Sequence, residues 1–159
     1  MYMFKCNSSN DHEKEGGKRV SIIADNSQLI DFLEKITIVR FAYLFGSCST
    51  GKQGPLSDLD IAVFLDDEVD FFSCRLILME ELSFELRGER SIDLVVLNEA
   101  STVLRYEIIR DGIVLKEDRE RRVEFETHVL REYLDTEPLR AVHRAALKQS
   151  FRKEHHFGE

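Results

Sequence analysis

Three short apolar runs limit what this chain can fold into. Ile38–Phe45, Asp58–Leu65 and Ser91–Leu97 are rich in β-branched and aromatic residues, are bounded by Gly, Ser or Asp, and read as buried strands. Elsewhere the apolar spacing is helical. Ser27–Lys35 forms a short helix capped at Asn26 or Ser27. Asp70–Arg87 carries Phe71, Cys74, Leu78, Leu82 and Leu86 at helical spacing, and Gly88 closes it. Ala100–Arg110 is a third helix, ending at Asp111-Gly112 before a short strand, Ile113–Leu115. Asp118 caps a long helix through Leu134 that aligns Phe125, Val129 and Tyr133, and Pro138 starts another to about Phe151. This alternation gives an α/β class: a small mixed sheet with helices packed on one side and a C-terminal helical pair.

At 159 residues the chain is expected to be one domain with a self-sufficient core. Residues 1–19 read as a flexible polar leader, 20–117 as the core, and 118–159 as helices packed on that same domain. The longest apolar runs, such as Ile61–Leu65, are too short to span a membrane. Cys6, Cys48 and Cys74 are odd in number and contain no Cys-x-x-Cys pair, so neither a zinc site nor a disulfide frame is indicated. No signal-peptide core is present, so the expected location is the cytoplasm.

Charge narrows the partners. The net charge is −8, and the segment from Asp118 onward balances nine basic against nine acidic residues, so the whole excess lies in the first 117. Such a body repels polyanions, and neither direct nucleic-acid binding nor polymerisation onto RNA is expected. In the last helix Arg140, Arg144, Lys148 and Arg152 recur every four residues, opposite Leu139, Val142, Ala146 and Leu147. That is the pattern of a solvated amphipathic face, or of a docking face for an acidic partner. The apolar stripes of the last two helices leave room for a homo- or hetero-oligomer. No two His stand at i, i+4 with a Glu, which excludes a zinc hydrolase of that type. His128 and His143 read as packing or surface residues, and Tyr43 and Phe45 as core.

The chemistry concentrates in Gly46–Leu65, GSCSTGKQGPLSDLDIAVFL. Asp58 and Asp60 stand two apart on a strand, so both side chains leave one face. Adjacent carboxylates repel unless a cation lies between them, and hard divalent ions with oxygen ligands serve that role. Asp93 is the only charge within SIDLVVL. With the third strand beside the second, it completes a three-carboxylate set suited to two magnesium ions, manganese being an alternative, and to in-line phosphoryl or nucleotidyl transfer. Gly46 and Ser47 sit where the first strand turns, so backbone N–H groups and a hydroxyl there can hold triphosphate oxygens. Lys52 adds positive charge, and Gly51 allows the turn to close.

Gly-Ser, ten residues, Asp-x-Asp and an acid on the third strand resemble the DNA polymerase beta nucleotidyltransferase superfamily, and in particular its small stand-alone branch, the minimal nucleotidyltransferases (MNT). Val103–Lys116 and Phe125–Leu139 also resemble that branch, so the likeness runs from Val39 to Leu147. The resemblance implies that Asp58, Asp60 and Asp93 bind metal and carry catalysis, that Gly46 and Ser47 bind phosphate, and that Ser57, the Ser common before the first acid, belongs to the nucleotide site. It also implies an antitoxin paired with a HEPN-family toxin, moving AMP from ATP to a tyrosine of that ribonuclease. Arg105 and Glu107 resemble positions near the nucleotide in relatives, although a surface ion pair is the commoner reading of such a pair. Where many relatives carry two Arg after the Gly-Ser, this chain has Cys48 and Thr50, with Lys52 as partial compensation. That departure keeps open an antitoxin acting by stoichiometric binding. Nucleotide transfer to a small molecule is a third reading, although such relatives usually carry a larger substrate domain.

Overall fold

The computed structural model describes residues 26–47, 58–87 and 91–154, with 147–154 described by backbone alone. The elements run α1 (Ser27–Lys35), β1 (Val39–Phe45), β2 (Leu59–Leu65), α2 (Phe71–Glu85), β3 (Ile92–Val96), α3 (Thr102–Asp111), β4 (Ile113–Lys116), α4 (Arg119–Asp135) and α5 (Glu137–Glu154). The leader lies outside the described residues, as does Gly88. The left-handed position after α2 is Arg87, at φ 52°.

The four strands form one mixed sheet in the order β3-β2-β1-β4. β1 is antiparallel to both β2 and β4, and β2 is parallel to β3. A parallel neighbour requires a crossover, and α2 supplies it.

Helices cover both faces of the sheet, which corrects the one-sided packing expected from sequence. On one face Leu59, Ile61, Val63 and Leu65 of β2 pack with Leu29 and Leu33 of α1 and Leu78 and Leu82 of α2. On the other, Phe41, Tyr43 and Ala62 pack with Ile108 of α3 and Phe125 and Val129 of α4. The reason is visible in β1 and β2, whose apolar residues run consecutively instead of alternating, as strands buried on both sides do. Phe41 anchors the second layer: its ring stacks on Phe64 at 4.8 Å and meets Phe125 at 5.4 Å.

Side chains fix the element ends. Asp70, Ser101 and Asp118 each accept a backbone N–H from the first turn of the helix they cap. Lys116 donates to the carbonyls of Leu33 and Ile36 at 2.9 and 2.8 Å, closing the end of α1 onto β4. Tyr43 donates to Glu126 at 2.6 Å, and Arg122 holds that same carboxylate, so β1 is tied to α4. Burial and the Glu126 charge push the Tyr43 hydroxyl well above the usual range.

Candidate active site

Strand register brings two of the acids side by side and the chain places the third on their face. In the parallel ladder Asp60 of β2 is the partner of Asp93 of β3. Register partners on adjacent strands stand about 4.8 Å apart and project to one face. The Leu59 N–H donates to the Ser91 carbonyl at 2.8 Å, fixing that register one step earlier. Asp58 lies two residues before Asp60 and therefore on its face. That face is the α3–α4 side, where Ala62 and Phe64 continue the row into the core. Asp58 and Asp93 are exposed and Asp60 is half-buried, so the trio sits at the open end of the sheet.

Asp60 bears the electrostatic load. Its carboxyl is raised above the ordinary value, first by burial, then by the charge of Asp93, then by that of Asp58. Both neighbouring charges therefore reach it. Among the described residues, no three His, Cys, Asp or Glu side chains already close around an ion-sized point. Register places the acids on one face, and the charges of Asp93 and Asp58 act on Asp60. An all-carboxylate set of hard oxygens under mutual repulsion suits a divalent cation such as magnesium, which would relieve that repulsion.

Gly46 forms the opposite wall. It leaves β1 at φ +71°, beyond Phe45, which is itself the antiparallel partner of Asp60. A Cβ at position 46 would lie 2.0 Å from Oδ2 of Asp60. Backbone and carboxylate approach this closely only with glycine, for steric as well as conformational reasons. Ser47 follows directly. Lys52 and Ser57 lie outside the described residues, as do Cys48, Thr50 and Gly51.

The structure gives Arg105 a different role from the one its resemblance implies. Its guanidinium donates to the carbonyls of Leu97 at 2.8 Å and Asn98 at 2.6 Å and lies 5.8 Å from the Phe125 ring. Asn98 in turn pairs with both backbone groups of Leu65. Arg105 thus braces the C-terminal ends of β2 and β3, whereas the acids occupy their N-terminal ends. Sequence spacing could not reveal this, because the brace joins backbone carbonyls and not a patterned side chain. Glu107 makes no described contact with the acids. A cleft of about 660 Å³ opens at the braced end, lined by Phe64, Arg105, Arg121, Phe125 and His128 among others, and none of the three acids lines it.

Three comparisons bear on this geometry. The family described as "Polymerase beta, Nucleotidyltransferase" matches residues 27–121. Protein adenylyltransferase MntA of Shewanella oneidensis is 39% identical over 79 residues, a stretch covering 50% of this chain and 55% of that protein. This chain therefore spans about half the length of that relative. A toxin–antitoxin crystal structure with AMP-PNP matches at TM-score 0.59 and 30% identity, over 85% of this chain and 97% of its counterpart. A complex of tri-AMPylated Shewanella oneidensis HEPN toxin with MNT antitoxin matches at TM-score 0.54 and 27% identity, over 87% and 98%.

Proposed function

The chain belongs to the polymerase beta nucleotidyltransferase family, and on that premise we propose that it is a magnesium-dependent protein adenylyltransferase, the antitoxin of a HEPN toxin. ATP is the donor, and a tyrosine hydroxyl of the toxin is the acceptor. The observation that carries this reading is the pairing of Asp60 with Asp93 across β2 and β3, opposite the Gly46 turn.

Each residue has a task. Asp58, Asp60 and Asp93 hold the divalent ions at the open end of the sheet. Magnesium, when bound, supplies charge neutralisation of the triphosphate. Gly46 and Ser47 hold phosphate oxygens through backbone N–H groups and the Ser47 hydroxyl. Lys52 and Ser57, outside the described residues, are assigned to the nucleotide from the sequence alone. Asp93, exposed at the rim, accepts the proton of the incoming tyrosine hydroxyl. That oxygen bonds to the α-phosphorus, and the bond from the α-phosphorus to the pyrophosphate oxygen breaks. Positioning supplies most of the acceleration in such a transfer.

The antitoxin role and the HEPN partner are supported by the MntA relative and by the AMPylated complex. No helix among the described residues is long and apolar enough to cross a membrane. The test is intact-mass analysis of the toxin after incubation with this chain, ATP and Mg²⁺. Mass should rise in AMP steps, and Asp58→Asn with Asp60→Asn should abolish the rise. Labelling by that double variant would sink the assignment. A second reading, neutralisation by binding alone, draws on Cys48 and Thr50, which stand where many relatives carry Arg. It predicts that the double variant still protects cells.

A further inference from the structure

We propose that the groove between the first turn of α3 and the outer face of α5 seats an amphipathic helix, apolar along its seam and acidic at its flanks, contributed by the protein this enzyme modifies. The partner's identity rests on the reading above, and the groove's chemistry does not. The groove encloses about 690 Å³, and Val103, Leu139, Val142 and Ala146 form its apolar floor. Three of these are large apolar side chains left in solvent: Val103 is 40% exposed, Leu139 72% and Val142 68%. Leu134, in the last turn of α4, is likewise exposed, at 67%. A contiguous apolar concavity of this kind marks an interaction site.

The way α5 is attached explains why it needs cover. The helix is 18 residues long and meets the domain chiefly at α4. Arg140 anchors its start, stacked 3.7 Å over the Tyr133 ring, and Tyr133 stacks in turn on Tyr106 of α3. Arg140 and Arg144 both pair with Glu137, at 2.8 and 2.6 Å. Around that anchor Leu139 and Val142 remain exposed. Such a helix is marginal in water unless its apolar face packs against something.

Charge selects the occupant. α5 carries Arg140, Arg144, Lys148, Arg152 and Lys153 against Glu137 and Glu154. A second copy docking through α5 would press two cationic helices together, which opposes self-pairing. A bilayer is a poor match too, because the apolar floor is concave and shared with α3; Arg144, paired with Glu137 but still 55% exposed, leaves a cation at the rim. An acidic-flanked helix fits both the floor and the rim.

The test measures binding of the full-length cognate HEPN toxin by calorimetry. Leu139→Asp with Val142→Asp changes exposed residues only, so its melting temperature and its ATP binding should match those of the original chain. Its affinity for the toxin should fall by about tenfold or more, and Arg144→Glu should weaken binding in a salt-dependent way. Unchanged toxin affinity in the Asp double variant overturns this inference and leaves the adenylyltransferase reading intact. Tight binding by the original chain without AMP transfer sinks that reading and leaves the docking seat intact. If the original chain does not bind toxin, the inference fails as well. Light scattering showing a dimer that the variant loses would then assign the face to a second copy, and lost co-sedimentation with phosphatidylserine vesicles would assign it to a membrane.

Discussion

Gly46 and Asp60 compete for one volume: the space a Cβ on residue 46 would take is already filled, at 2.0 Å, by Oδ2 of the carboxylate. Substitution must therefore move the backbone turn or the acid. Gly46→Ala also places a side chain at φ +71°, a conformation costing about 1–2 kcal/mol. The variant should lose about that much stability in urea denaturation. Its transfer rate should fall by about 10²-fold, the usual penalty of a misplaced reacting group. A variant with full activity would mean that the turn does not position Asp60.

Asp60→Asn should separate stability from catalysis. A carboxyl raised in the folded state destabilises the fold when ionised, and the penalty vanishes once it is protonated. At neutral pH, without divalent ions, the variant should melt above the original chain, by about 2–4 °C for each kcal/mol relieved. The gap should close as pH falls through the raised value toward 3.8. Calorimetric scans of both proteins across that window check the sign, and a gap that widens on acidification contradicts it.

Magnesium should stabilise the original chain, since its binding removes the same repulsion. At a hundred times the dissociation constant the gain is about 2.7 kcal/mol. Asp58→Asn with Asp60→Asn should lose that gain. Melting temperature against Mg²⁺ concentration decides the point: equal rises in both proteins would place the ion elsewhere.

Arg105→Ala should behave as a structural lesion. It strands two carbonyls, those of Leu97 and Asn98, at a cost of about 1–3 kcal/mol. KM for ATP should stay unchanged in the fraction that folds. A raised KM at unchanged stability would return Arg105 to the nucleotide site.

The strands, the helix faces and the trio of acids were legible because each depends on periods of two or nearly four residues that survive in a single sequence. β2 shows this well: DLDIAVFL contains both the carboxylate pair and the apolar row behind it. Layering was less legible. Consecutive burial in VRFAYLF signals two covered faces, but which helix takes which face depends on crossovers that no local pattern encodes. The Arg105 brace was not legible, because its acceptors are main-chain oxygens that any sequence would supply. The intimacy of Gly46 with Asp60 was invisible for a similar reason: it arises between strands, fourteen residues apart.

The shared rung of β2 and β3 sets a rule for how this chain can vary. Side chains in a ladder alternate sides, so a slip of one residue in β3 would send Asp93 through the sheet toward α2, while a slip of two would return it to the correct side one step displaced. Length changes upstream of that strand are therefore harmless only if the loop absorbs them completely. The parity of the chain between the hydrogen bond at Ser91 and the acid at 93 is what the proposed metal site cannot give up.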